Sequence, residues 1–69
     1  MGDIAKRAAK AIRQRVGKYR VYDEMDRLEI TRQCFHHWEK GKHTPSGKVL
    51  QRMAQAGYDV HWILTGERK

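Results

Sequence analysis

The apolar residues of this 69-residue chain never run more than three together, yet they keep returning at the spacing of one helix face. Ala5, Ala9, Ile12 and Val16 fall at i, i+4, i+7 and i+11, with Lys6, Arg7, Lys10 and Arg13 off that stripe. Val21, Met25 and Leu28 make a second stripe, and Cys34, Phe35 and Trp38 a third. Val49, Leu50, Met53 and Ala54 form a fourth, and Val60, Ile63 and Leu64 a fifth. The punctuation agrees with this division. Gly17, Gly41, Gly57 and Gly66 stand where helices should stop, while Thr31, Thr44 or Ser46 beside Pro45, and Asp59 stand where they should start. Alternating strand patterns and Asn-Gly or Asp-Gly hairpin turns do not occur in the sequence. The expected fold is therefore all-α: five short helices with tight joints, forming one domain over residues 1–69.

Length and composition narrow the classes further. The chain sits near the lower limit for unaided folding, and its single cysteine, Cys34, excludes an internal disulfide framework. The short apolar runs exclude both a membrane span of ~20 residues and the apolar stretch of about 7–15 residues in a secretory signal. A hydrophobic content of 39% is too high for a disordered basic tail. The net charge of +7, with a pI near 10, points to a polyanion as partner. That charge is uneven. Residues 1–20 carry seven Lys+Arg against Asp3, whereas residues 21–30 set Asp23, Glu24, Asp26 and Glu29 against Arg27 alone. An acidic decade between basic stretches suits a folded object with one basic surface and another face turned elsewhere.

Residues 21–40 have the grammar of a helix-turn-helix. One helix ends at Leu28, a short turn follows, and a second helix of about residues 31–40 begins at Thr31, with Ile30 and Phe35 spaced to lock the pair. Such a motif presents the start of its second helix to the major groove. The side chains exposed there are Arg32, Gln33, His36 and His37. Arginine grips guanine O6 and N7 with two hydrogen bonds, and glutamine does the same for adenine N6 and N7. Both residue types also populate ordinary solvated helix faces, so periodicity alone leaves the two readings open.

A family resemblance bears on that choice. Residues 30–47, ITRQCFHHWEKGKHTPSG, resemble the recognition-helix region of the phage Cro/repressor-type helix-turn-helix family. The tail GYDVHWILTGER is similar to the ending of phage CI-type repressor DNA-binding domains. Together the two motifs span roughly residues 21–67, in matching order and spacing. The resemblance implies a compact five-helix lambda-repressor-like domain. It implies a phage or prophage transcriptional regulator, cytoplasmic and nucleoid-associated in a bacterial host, binding double-stranded operator DNA as a homodimer.

By position, the resemblance sets Arg32, Gln33, His36 and His37 toward base edges. It sets Thr31, with the helix N-terminus, at a phosphate, and makes Lys40, Lys42 and His43 a loop gripping the backbone. Arg20 and Lys10 would add phosphate contacts, and Glu39 would pair with Arg13 of the first helix. The last helix would form the dimer interface through Tyr58, Val60, His61, Trp62, Leu64 and Thr65, with Trp62 exposed and Trp38 in the core. Two positions depart from the pattern. Met25 stands where the family has a small alanine, and Glu29 where it has a glycine at positive φ; a longer turn or a wider crossing angle would absorb the change. Because larger CI-type repressors continue past the TGE tail, a chain running from Met1 to Lys69 is expected to be a whole Cro-like protein rather than an excised domain.

Other constellations are weaker. Cys34, His36, His37 and His43 invite a zinc reading, but the two helical histidines lie ~100° and ~200° around from Phe35 and cannot all meet one ion. No metal, cofactor or small-molecule ligand is expected. The histidines should instead respond to phosphate, tightening binding as pH falls from about 8 to 6. No phosphate loop, paired carboxylates or serine with a marked base suggests an enzyme. The first helix could be a basic amphipathic membrane-surface helix, but its stripe is mostly alanine, which suits packing better than lipid. The alternative from another class is a protein-binding helix-turn-helix module, of antitoxin or anti-repressor type, docking a basic partner through the acidic 23–29 patch.

Overall fold

Alanines on the first helix decide how the rest assembles. The computed structural model describes residues 3–17 and 19–67, so Lys18 and the Arg68 of the tail motif lie outside the described residues. Five helices follow in order: α1 (Asp3–Val16), α2 (Val21–Arg27), α3 (Arg32–Glu39), α4 (Gly47–Gln55) and α5 (Val60–Thr65). No strand occurs among the described residues. Ala5, Ala8, Ala9 and Ile12 of α1 are buried, and the short alanine side chains let neighbouring helices approach closely. Accordingly α2, α3 and α5 all pack on α1, while α4 packs on α5.

The core around this hub is small and well filled. Ile12, Met25, Leu28, Trp38, Met53 and Ile63 are its largest enclosed side chains. Each contributes about 1.5–3 kcal/mol through burial. The radius of gyration is 10.7 Å, against about 11 Å for a well-packed chain of this length. No helix among the described residues is long and apolar enough to cross a membrane.

Side-chain caps start α3, α4 and α5, whereas α2 begins at Arg20 without one. Thr31 Oγ1 accepts the Cys34 N–H at 3.0 Å, Ser46 Oγ the Val49 N–H at 3.3 Å, and Asp59 Oδ1 the Trp62 N–H at 3.0 Å. Of the two hydroxyls before α4, Ser46 is thus the cap. At the other ends, α3 and α4 close with paired reverse bonds. Gly41 N–H reaches Trp38 O and Lys42 N–H reaches His37 O; Gly57 N–H reaches Ala54 O and Tyr58 N–H reaches Met53 O.

The end of α2 uses the same closure without a glycine. Glu29 N–H donates to Asp26 O and Ile30 N–H to Met25 O, with Glu29 itself at φ 59. The unusual residue thus takes up the left-handed conformation directly, at a cost of about 1 kcal/mol. Its carboxylate meets Arg52 Nε of α4 at 3.2 Å, and the flanking Met25 and Ile30 are buried. Met25 is packed into the core, with 2% of its surface exposed.

Three expectations about the core need correction. Ala54 is exposed, and Val49 and Leu50 are only half-buried, leaving Met53 as the buried residue of α4. On α5, Leu64 is 44% exposed, while Trp62 is half-buried against the core. A six-residue helix has fewer than two turns, so its stripe is poorly defined, and the larger indole takes the place on the core.

The acidic decade is not wholly at the surface either. Glu24 is buried, not displayed: it accepts a hydrogen bond from the Tyr58 hydroxyl and faces Arg27 at 3.4 Å and Arg15 at 4.0 Å. Burial, together with that bond to Glu24, pushes the Tyr58 phenol well above its usual pKa, so it stays a donor. Arg15 also lies over the Tyr58 ring, 4.5 Å from its centroid.

Candidate nucleic-acid interface

The α2–α3 joint aims the beginning of α3 outward. Ile30 is buried on one side of the joint, Thr31 caps the next turn, and Phe35 and Trp38 anchor the helix inward. What remains on the outer face is Arg32, Gln33 and His36, all exposed, with His37 half-buried at its edge and Cys34 half-buried on the inner side. Burial also raises the Cys34 thiol pKa, which disfavours its thiolate. Thr31 is exposed; its oxygen is engaged by the Cys34 N–H, but its O–H remains a donor for an incoming acceptor.

The loop after α3 continues the polar surface. Lys40, Lys42 and His43 are exposed, and no ion pair among the described residues involves either lysine. His43 folds back toward α3, its ring centroid 4.7 Å from that of His37, which lies 6.5 Å from His36. Burial first, and then the charges of His43, Lys42, His36 and Lys40, lower the His37 pKa. Each of these effects disfavours the charged form of His37. Among the described residues, no group of three or more His, Cys, Asp or Glu side chains could hold a metal ion.

Two arginines frame the face. Arg13 reaches from α1 to Glu39, with Nη2 and Nε at 2.6 and 2.7 Å from Oε2, and it also lies over the Phe35 ring at 5.3 Å. The expected Arg13–Glu39 pair thus forms and ties the far end of α3 to α1. Arg32 lies over the ring of Tyr22, from α2, with its guanidinium carbon 4.3 Å from the ring centroid. Lys10 and Arg20 are both exposed, on α1 and just before α2.

The residues expected at a dimer interface do not share one surface. His61, Leu64 and Thr65 are exposed and Val60 is half-buried. Tyr58 turns inward to Glu24, because its hydroxyl finds an acceptor in the core, and Trp62 is half-buried. Sequence reasoning also missed Arg7, whose Nε donates to Ile63 O at 2.8 Å and closes the end of α5. A basic residue flanking an alanine stripe gave no hint of that distant carbonyl. Comparison with known protein families, with curated proteins and with solved structures finds no match to this chain.

Proposed function

We propose that the protein binds double-stranded DNA and reads its sequence through the outer face of α3, as a helix-turn-helix regulator of the Cro/repressor type. The observation that carries this reading is the arrangement at the start of α3. Arg32, Gln33 and His36 stand exposed together on a helix anchored by Phe35 and Trp38 and flanked by the free lysines of the next loop. An eight-residue helix is about 12 Å long and 10–12 Å across, dimensions that fit a major groove about 12 Å wide. In this role Arg32 and Gln33 discriminate among bases. Thr31, Lys10, Arg20, Lys40, Lys42 and His43 hold phosphates and set affinity.

The working unit in this reading is a cytoplasmic homodimer joined through the exposed His61, Leu64 and Thr65 of α5. Its two α3 helices would enter successive major grooves ~34 Å apart. Docking of a basic protein on the acidic segment finds less support. Glu24 is enclosed and Glu29 is engaged by Arg52, which leaves Asp23 and Asp26 to attract a partner.

Arg32→Ala and Lys42→Ala test the division of labour. The first should cost about 1–3 kcal/mol on a preferred duplex and relax preference at one base pair. The second should weaken all duplexes alike and lower the salt slope by ~1. Identical behaviour of the two variants on preferred and random duplexes would refute base reading by α3.

A further inference from the structure

We propose that Tyr22 is a specificity-determining positioning residue, which holds Arg32 ready for a guanine before DNA arrives; this rests on the reading of α3 as the base-reading helix. The two side chains come from different helices and meet across the joint. Tyr22 stands in the first turn of α2, Arg32 is the first residue of α3, and the guanidinium carbon lies 4.3 Å from the ring centroid. Arg32 has no carboxylate partner among the described residues, unlike Arg13, Arg15, Arg27 and Arg52. The ring is therefore what restrains it.

The chemistry of the contact makes it productive for recognition. A guanidinium resting on an aromatic face gives up its flat side and keeps its N–H edge, the part that bonds guanine O6 and N7. An acidic partner would occupy that edge instead. Tyr22 itself is 53% exposed, although a large aromatic at the start of a short helix could have packed inward beside Val21 and Met25. Tyr22 lines a notch among α1, α2 and α3 that Val21, Met25, Arg32, Phe35 and His36 also line. An unrestrained arginine must be ordered when it binds, and a stacked one has already lost most of that freedom.

The test compares Tyr22→Leu, Tyr22→Phe and wild type on one duplex enriched by the wild-type protein from a randomised pool. A second duplex changes the single base pair whose preference Arg32→Ala abolishes. Tyr22→Leu should lower discrimination between the two duplexes about 2- to 10-fold, the factor for ordering one rotamer-rich side chain. Tyr22→Phe, which keeps the ring and loses only the hydroxyl, should discriminate like wild type. In the free protein, the Arg32 side-chain protons should resonate upfield in wild type and Tyr22→Phe, and lose that ring-current shift in Tyr22→Leu. Unchanged discrimination in Tyr22→Leu, or equal loss at every base pair, overturns the role of Tyr22 and leaves base reading by α3 standing. A pool in which no base is enriched removes the base-reading proposal as well.

Discussion

Around Glu24, polar side chains are consumed by the fold. Tyr58 donates to the carboxylate, Arg27 and Arg15 flank it, and Arg15 covers the Tyr58 ring. Along α3 and the loop behind it, the opposite holds. Arg32, Gln33, His36, Lys40 and Lys42 are exposed, and no carboxylate engages the cations among them. Across the molecule the two kinds of cation are also used differently. Arg7, Arg13, Arg15, Arg27 and Arg52 each bond a carbonyl or face a carboxylate, whereas Arg20, Arg32, Lys6, Lys10, Lys40, Lys42 and Lys48 form no such pair among the described residues. The planar fork of arginine suits fixed structural bonds, and the compact, hydrated ammonium of lysine suits a diffuse field. Net charge therefore overstates the unengaged positive surface: several arginines are tied into the architecture, and Arg20, Arg32 and the lysines remain unpaired among the described residues.

The largest expected effect breaks the Glu24 region. Glu24→Ala leaves the Tyr58 hydroxyl without its acceptor and strips a charge from between two arginines, and should destabilise the fold by about 3 kcal/mol. Thermal unfolding should register this as a fall of about 4–8 °C for each kcal/mol. Glu24→Gln, which keeps an acceptor for Tyr58, should lose less. Base preference of the surviving folded protein should not change; a shift in preference would mean the two regions are not separable.

A smaller effect is expected on the α3 side. Arg32→Lys keeps the charge and loses the two-pronged edge, so it should lower affinity for the preferred duplex by about 1–2 kcal/mol while the salt slope stays constant. Equal performance of lysine and arginine there would reduce Arg32 to another phosphate contact.

The joint between the regions offers a gain rather than a loss. Glu29→Gly should relieve the φ 59 strain, worth about 1 kcal/mol, and forfeit the half-exposed Arg52 pair, worth about 0.2–1 kcal/mol. A slight net stabilisation is the expected outcome of chemical denaturation. Clear destabilisation would show that the Arg52 pair outweighs the strain.

The pH response is the mildest test. His37 is held below its usual pKa in the free protein, and neighbouring phosphates should raise it on binding. The bound state then takes up protons, so affinity should rise as pH falls through the raised value and level off below the lowered one. One proton limits the slope to ~tenfold per pH unit. His37→Ala should flatten titrations of affinity at constant salt.

How far the sequence carried these regions follows from the distance over which each feature is encoded. Helix boundaries were readable because a cap and its N–H lie within three residues, as at Thr31, Ser46 and Asp59. The outward face of α3 was readable from Phe35 and Trp38 alone. The Arg13–Glu39 pair followed from resemblance, not from any local signal. Glu24 was misassigned to the surface because its hydroxyl partner is 34 residues away, and nothing near Glu24 announces Tyr58. The Tyr22–Arg32 contact escaped for the same reason: it depends on how two helices turn at Glu29, which sequence spacing does not specify.

Selection from a pool of randomised duplex DNA asks whether α3 reads sequence at all. The expected product is an enriched site with two inverted half-sites, their centres about 10 base pairs apart, one for each α3 of a dimer. A pool that stays random through successive rounds, while the protein still retains duplex at low salt, would contradict sequence reading by this face.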